Sequence, residues 1–319
     1  MSELRVVALM GPTAAGKARL ARAAAEAAGA LLVSCDSMKV YRGMDVGTAK
    51  PAPAERQAWI GLDLVHPWER FDASRFRDLF EQVAARARAE GRPILLSGGT
   101  MLYVKAATEG LCAAPGRDPA LRAELEAVAD AQGTEALHAR LTAADPQAAA
   151  RIHPRDRRRL VRALEVHTLA GAPLTALQGQ FGTVQPGLSR QVLVVRRARE
   201  DMDRRIDERV DRMLAEGWIE ECRALLGDPR GISPEARQAL GYRLLWDWLE
   251  QGQTTPLPEV VARIKTATRR FARQQLTWLK RMADAAALDL GAGEDPLAQL
   301  PRLVETLSSP RSGAEAPSL

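Results

Sequence analysis

Residues 4–28 read LRVVALMGPTAAGKARLARAAAEAA. The apolar, valine-rich run at residues 4–10 is typical of a buried parallel strand. The glycine-rich turn Gly11–Lys17 follows at once, and residues 18–28 have the alanine-rich composition of a helix. A strand, a tight turn and a helix in this order are the repeating unit of an α/β fold with a parallel sheet.

The turn has the spacing GxxxxGK, which is the pattern of a P-loop. Its glycines let backbone amides converge on phosphate oxygens, while the helix N-terminus and the lysine add positive charge. Such loops are typical of proteins that bind ATP and other nucleotides. The sequence therefore predicts a phosphate cradle made of Gly11, Pro12, Thr13, Ala14, Ala15, Gly16, Lys17 and Ala18.

The cradle departs from the P-loop pattern at one position. The pattern has Ser or Thr after the lysine, where the hydroxyl binds Mg²⁺, and this chain has Ala18. The predicted strand at residues 93–97 also ends in Gly-Gly-Thr, without an aspartate to hold a metal. Both observations favour binding of a diphosphate group over ATP hydrolysis, and they leave a small-molecule or nucleoside kinase open.

Further strands are predicted at residues 31–34 and 191–195, and a helix at residues 72–91. This alternation predicts an α/β fold, with a P-loop NTPase-like parallel sheet core, a helical insertion domain and a helix-rich C-terminal part. The tail ends in a Ser-, Pro- and Ala-rich segment, for which we expect disorder. The predicted division is a first part of the core at 1–114, a helical insertion at 115–186, a second part with C-terminal helices at 187–290, and a disordered tail at 291–319.

The composition excludes several classes of protein. The three cysteines have no CxxC spacing, which argues against a disulfide framework or a zinc site and is typical of a reducing compartment. No apolar run approaches the roughly 20 residues of a membrane span. We therefore expect a soluble cytoplasmic protein.

Two stretches carry the positive charge. Residues 151–162 hold six arginines and one aspartate, and residues 257–281 hold seven basic residues and one glutamate, whereas the whole chain has a net charge of +5. Such segregation is typical of a polyanion partner such as RNA. Phe271 and Trp278, in the second stretch, are expected to pack in the core.

Several segments together resemble one family. They include GPTAAGKA (11–18), DSMKVYRGMDVGTAKP (36–51), GGTMLY (98–103), RIDERVDRMLAEGWIEE (205–221) and TRRFARQQLTWLKR (268–281). In these segments the chain resembles the tRNA dimethylallyltransferases (tRNA isopentenyltransferases), and the resemblance covers about residues 5–285.

The resemblance implies transfer of a dimethylallyl group from dimethylallyl diphosphate to N6 of adenine 37, beside the anticodon of a tRNA. It implies a channel that the diphosphate enters from one side and the flipped adenine from the other. Mg²⁺ would bind mainly through the diphosphate, and we expect a monomer.

By resemblance, Asp36 is the general base, and Thr100 lies near the reacting centre. A carboxylate at this point suits the chemistry, because the amine of adenine must lose a proton as the new bond forms. The tRNA contacts implied are Asp36, Ser37, Met38, Lys39, Arg122, Arg158, Arg159, Leu160, Val161, Arg162, Gln238, Ala239, Leu240, Gly241, Tyr242 and Arg243.

Two other functions remain open at this point. A P-loop kinase would use the same loop and a strand-end aspartate, and it would not need two arginine-rich helices. A catalytically weakened tRNA-binding homologue is the other alternative, because Ala15 and Ala18 replace hydroxyl groups that the family usually carries.

Overall fold

The computed structural model describes residues 3–112, 114–178, 182–280, 282 and 285–309. The chain divides into two compact units. The core unit spans Met1–Thr108 and Val184–Leu319, and the insertion unit spans Glu109–Thr183.

One sheet lies at the centre of the core unit. Its strands, within the described part of the chain, are β1 (Leu4–Met10), β2 (Leu31–Cys35), β3 (Ile94–Gly98), β4 (Leu188–Arg197) and β5 (Ala285–Leu290). All neighbouring strands are parallel, and their order is β2-β3-β1-β4-β5. The chain leaves β1 towards one edge of the sheet and later returns to the other side of β1. Open α/β sheets bind ligands at such a switch point, at the carboxyl ends of the strands.

Helices cover both faces of the sheet. In the core unit they are α1 (Lys17–Ala28), α2 (Pro53–Arg56), α3 (Ala73–Glu90), α4 (Met101–Thr108), α10 (Arg199–Ala215), α11 (Trp218–Leu226), α12 (Leu240–Glu250), α13 (Leu257–Leu279) and α14 (Leu300–Ser308). In the insertion unit they are α5 (Pro119–Gln132), α6 (Thr134–Ala144), α7 (Pro146–Arg151), α8 (Arg157–Ala170) and α9 (Leu174–Leu177).

The central strand explains why the sequence at residues 4–10 is apolar almost throughout. Successive side chains of a strand point to opposite faces. Val6 and Ala8 lie in one hydrophobic cluster, and Val7 and Leu9 lie in the cluster on the other face. Because helices cover both faces, β1 cannot alternate apolar with polar residues.

The insertion unit has a hydrophobic core of its own. Leu137, Leu141 and Leu160 are fully buried in it, and they come from α6 and α8. Asp118 and Asp145 cap the N-termini of α5 and α7 by accepting hydrogen bonds from backbone amides.

Two expectations from the sequence were wrong. The strand β5 was missed, because its sequence AAALDL is rich in alanine, a strong helix former. The disorder expected from residue 291 does not hold for the described part of the tail. Helix α14 there buries Leu303 and Leu307 against the cluster that contains α1. Residues 310–319 lie outside the described residues.

Among the described residues, none of the helices combines the length and the apolar character that a membrane span requires.

Candidate active site

A cavity of about 450 Å³ lies at the carboxyl ends of β1, β2 and β3 in the core unit. Its walls come from the turns that follow these strands and from one face each of α10, α12 and α13. This is the switch point of the sheet, where the topology of an open α/β sheet places a ligand.

The predicted phosphate cradle forms one wall of this cavity. Thr13, Ala14, Gly16, Lys17 and Ala18 line it, whereas Gly11, Pro12 and Ala15 are buried beneath the turn. Gly11 has φ +152°, and a Cβ atom there would lie 2.8 Å from the carbonyl oxygen of Val195. The glycine is therefore required by both the turn and its packing.

Two arginines, one at the end of β4 and one in α10, form hydrogen bonds to backbone carbonyl groups of the turn. The buried Arg197 donates to the carbonyl oxygen of Ala15 at 3.3 Å and pairs with Asp201 at 2.9 Å. Arg205 donates to the carbonyl oxygen of Ala14 at 3.0 Å. These contacts point the carbonyl groups of the turn away from the cavity. The sequence did not predict either arginine.

Asp36 lies directly after β2 and lines the same cavity as Lys17. Its Oδ1 atom accepts hydrogen bonds from the backbone amides of Met38 at 2.9 Å and Lys39 at 3.3 Å. The carboxylate therefore caps a turn, and this turn orients it. Thr100 lies beside it: its Oγ1 atom accepts a hydrogen bond from the Ser37 amide at 3.1 Å.

Three cations surround Asp36. Burial and, to a smaller extent, the positive charges of Arg209 and Lys39 together lower the pKa of Lys17 to about 7. Burial lowers the pKa of Lys39 to about 8, although Asp36 opposes this shift. Burial also lowers the pKa of Arg209, again against the effect of Asp36. One carboxylate beside three partly buried cations leaves an excess of positive charge, which suits a multiply charged anion.

Backbone carbonyl groups hold these cations in place. Lys17 Nζ lies 2.5 Å from the oxygen of Pro12, and Lys39 Nζ donates to Ala49 at 2.9 Å. Arg209 donates to the oxygen of Thr48 at 3.3 Å. Arg209 was missed in the sequence because it is one of several arginines on a helix. The signal that marks it is its position on the same helix face as Ile206, Val210 and Met213, which also line the cavity.

Gln275 of α13 connects two of the turns. Its Oε1 atom accepts a hydrogen bond from the Thr13 amide at 3.0 Å, and its Nε2 atom donates to the oxygen of Gly99 at 3.2 Å. A Cβ atom at Gly99 would lie 2.2 Å from Gln275 Nε2. The second glycine of the Gly-Gly-Thr turn is therefore needed for this contact, which sequence patterns did not reveal.

Gly47, Thr48 and Ala49 of the segment 45–49 line another part of the cavity, and Glu221 binds the backbone of this segment. Its Oε2 atom accepts hydrogen bonds from the amides of Asp45 at 2.8 Å and Val46 at 2.9 Å. Its Oε1 atom accepts from the Gly47 amide at 3.3 Å and from the hydroxyl of Tyr242. We call residues 45–49 the cation wall, because Thr48 and Ala49 accept hydrogen bonds from two of the three cations.

The residues of segment 238–243 divide into those that line the cavity and those that are exposed. Ala239, Leu240, Gly241 and Tyr242 line the cavity, and Tyr242 is buried. Gln238 and Arg243 are exposed. Contact with RNA remains a prediction for this segment.

The predicted RNA contacts of the insertion unit fall into three groups. Arg122 and Arg162 both bind the buried Glu165, at 2.7 Å and 2.6 Å. The side chains of Leu160 and Val161 are buried in the core of the unit, which leaves only their backbone for the predicted RNA contact. Arg158 and Arg159 are exposed and remain predicted contacts.

The sequence analysis assigned the basic residues of helix α13 to an RNA partner, but some of them pair with acidic residues of the protein. Three of its basic residues face carboxylates of α10: Arg269 pairs with Asp207 at 2.5 Å, Lys265 with Asp211 at 2.7 Å, and Arg273 approaches Asp203 at 3.9 Å. These acids recur at every fourth residue of α10, so they form one stripe. Arg281 lies outside the described residues.

Its aromatic residues also differ from the expectation. Phe271 is 44% exposed and Trp278 is 45% exposed, so the expectation that they pack in the core was wrong. Phe271 lines the cavity, and the two flank Gln275 on one face of α13.

The fold and the site together define a P-loop α/β protein with a cavity whose described lining combines cations with the carboxylate of Asp36. Comparison with known proteins makes this more specific. The family model described as IPP transferase matches residues 39–282, and the chain belongs to this family. Its members transfer a prenyl group, and this chain is a prenyltransferase of that kind.

Relatives with similar sequences support the assignment. A tRNA dimethylallyltransferase of Methylococcus capsulatus is 45% identical over 90% of this chain and 92% of its own length. One of Geobacter metallireducens is 44% identical over 87% and 90%. A crystal structure of a tRNA isopentenylpyrophosphate transferase from Bacillus halodurans has a TM-score of 0.67 and 33% identity, and the match covers 95% of this chain and 96% of that one.

Proposed function

We propose that this protein transfers a dimethylallyl group from dimethylallyl diphosphate to N6 of adenine 37 in the anticodon loop of a tRNA. The observation that carries the proposal is that one cavity, among the described residues, is lined by three partly buried cations and by the carboxylate of Asp36. A diphosphate needs the cations, and the amine that attacks needs a base.

The diphosphate would lie between the cradle and the cation wall. Amides at the start of α1 and the Lys17 ammonium face one end of it, and Lys39 and Arg209 face it from the other wall. As the bond between carbon 1 of the prenyl group and its oxygen breaks, the electron pair leaves with the diphosphate. Cations that are already in place stabilise this developing charge without reorganisation.

Asp36 would take the proton. The nitrogen of the adenine amine forms a bond to carbon 1 of the prenyl group, and one of its protons passes to the carboxylate. Positioned general bases typically contribute 10²–10⁴-fold to rate. The two amides on Oδ1 fix the orientation of this carboxylate. Thr100, held against Ser37, is proposed as a contact with the substrate at the same point.

The described residues contain no group of three or more His, Cys, Asp or Glu side chains that could hold a metal ion. Mg²⁺ commonly binds through substrate phosphates and waters with only one or two carboxylates. Mg²⁺ would therefore be held mainly through the diphosphate, with the hydroxyl of Thr13 available as a further contact, whereas Ala18 cannot contribute and Asp36 is assigned as the base. When bound, Mg²⁺ would neutralise part of the charge on the leaving group.

The tRNA would present a base taken out of its stack. Base modification requires such flipping, and it costs least in a single-stranded loop. Phe271 and Trp278, exposed on the helix that borders the cavity, have the character of surfaces on which bases stack. Arg158 and Arg159 would contact phosphates. The monomeric state and the cytoplasmic location remain predictions.

The test is a transfer assay with purified protein, labelled dimethylallyl diphosphate and a tRNA that has adenines at positions 36, 37 and 38. Label should appear in the tRNA. Turnover of ATP without tRNA would instead support a kinase. Tight tRNA binding without transfer would support a catalytically weakened homologue.

A further inference from the structure

The cavity has a closed apolar end in addition to its cations. Val210, Met213, Trp218 and Tyr242 line this end, and all four are buried. Elsewhere on the wall Phe271 is exposed, whereas Ile206 and Ala239 are also buried. An apolar chain attached to the diphosphate can lie against the large buried side chains of the closed end, where burial is favourable.

The closed end lies near the cations along the cation wall. Three consecutive residues of this wall connect them: Gly47 contacts Trp218, Thr48 accepts from Arg209, and Ala49 accepts from Lys39. Two residues of extended chain span at most about 7 Å. A dimethylallyl group, with carbon–carbon bonds of about 1.5 Å, is roughly 5 Å long and a geranyl group roughly twice that. The shorter group would fit within this span, whereas the longer one would meet the ring of Trp218.

The ring of Trp218 cannot easily move aside. A Cβ atom at Gly47 would lie 2.0 Å from its Nε1 atom, and one at Gly241 would lie 2.1 Å from its Cη2 atom. Backbone therefore lies against both edges of the indole. The ring of Tyr242 packs edge-on against it, with centroids 5.6 Å apart. A ring held in this way forms a rigid end to the cavity.

We propose that Trp218 sets the length of the prenyl group that the enzyme accepts: it admits the five-carbon dimethylallyl group and excludes the ten-carbon geranyl group. The inference rests on the proposed function, since it concerns the donor of that reaction. Trp218 acts by steric exclusion and takes no part in proton transfer.

The experiment offers the enzyme equal concentrations of dimethylallyl diphosphate and geranyl diphosphate with tRNA, and it measures both products by mass. The ratio of the products gives the ratio of the two kcat/KM values. The variants are Trp218→Ala and Met213→Ala, which open the closed end from two sides. Truncating a large buried side chain can leave a cavity of about 150 Å³, enough for the six carbons of benzene and hence for one more five-carbon unit.

Trp246→Leu is the matched control. Trp246 is as fully buried as Trp218 and packs against the same Tyr242 ring at 5.2 Å, but it does not line the cavity. Its replacement disturbs the same core without opening the donor site. The product ratio of this variant should equal that of the unaltered protein.

We expect the unaltered protein to use geranyl diphosphate at less than about one hundredth of the rate for dimethylallyl diphosphate, and Trp218→Ala to raise that ratio by about 100-fold. Met213→Ala should raise the ratio of geranyl to dimethylallyl product less. If circular dichroism shows that Trp218→Ala does not fold, the Met213→Ala variant provides the test. A folded variant that transfers dimethylallyl with a ratio within about threefold of the control would overturn the inference. Failure of the unaltered protein to transfer dimethylallyl would instead overturn the proposed function.

Discussion

Glu221 should control donor affinity although it does not touch the donor. Its carboxylate accepts three backbone amides of the cation wall and the Tyr242 hydroxyl, and it does not line the cavity. The change Glu221→Gln replaces one oxygen by an amide group, which donates and cannot accept. At least one bond to the wall must then be lost.

The size of the effect follows from these contacts. A hydrogen bond to a charged group contributes about 1.5–3 kcal/mol, so Glu221→Gln should destabilise the protein by about 2 kcal/mol. For a chain of 319 residues, that lowers the melting temperature by roughly 3 °C. Displacing Lys39 and Arg209 by a fraction of an ångström should raise KM for the diphosphate about tenfold, because misplacement by 1 Å can cost 10²-fold.

The assay is thermal unfolding together with steady-state kinetics in each substrate. KM for tRNA should be unchanged, since the cation wall faces the diphosphate. Glu220→Gln is the control: Glu220 is the preceding residue, exposed, and its pair with Arg223 spans 3.3 Å on the surface. Equal melting temperatures and equal KM values for the two variants would refute the role of Glu221.

Three further predictions concern the cradle, the insertion unit and α13. The pKa of Lys17 is about 7, so the side chain is charged below that pH. We therefore expect kcat/KM for the diphosphate to fall as pH rises through 7, and Lys17→Arg to abolish this pH dependence. Burial alone would raise the pKa of Glu165, but hydrogen bonds from Arg122 and Arg162 hold it at about 2, against an ordinary 4.5. This carboxylate therefore stabilises the insertion unit above pH 4.5 and loses its effect as pH falls towards 2, and Glu165→Ala should cost about 3–5 kcal/mol in chemical denaturation at pH 7. Trp278→Ala should raise KM for tRNA about tenfold, since base stacking contributes about 1–3 kcal/mol, with KM for the diphosphate unchanged; an unaltered tRNA KM would exclude stacking there.

The parts of the fold that the sequence predicted are those that local pattern determines. The strand at residues 4–10, the turn ending at Lys17 and the helix capped by Asp72 each carry their signal within a few residues. β5 was missed because its alanines favour a helix until the neighbouring strand β4 pairs with them. Tertiary context overrides propensity in such segments.

The residues of the candidate site also fall into those that local sequence pattern predicts and those that it does not. Asp36 follows a strand directly and Lys17 ends the turn that follows another, so sequence patterns could place them at the sheet edge. Arg209, Glu221 and Gln275 lie on helices and bind partners in the strand-end turns and the cation wall that are more than 160 residues away in sequence. Periodicity indicates that such a helix has a buried face, but it does not indicate which residue the face meets.

The most direct test of Asp36 as the base is the rate of prenyl transfer by the Asp36→Asn variant under single-turnover conditions. Asparagine keeps an oxygen that can accept from the Met38 and Lys39 amides, so the turn should persist, while the ability to take a proton is lost. We predict a rate lower by about 10²–10⁴-fold with unchanged binding of the diphosphate and tRNA. A rate close to that of the unaltered protein would contradict the assignment of Asp36 as the base.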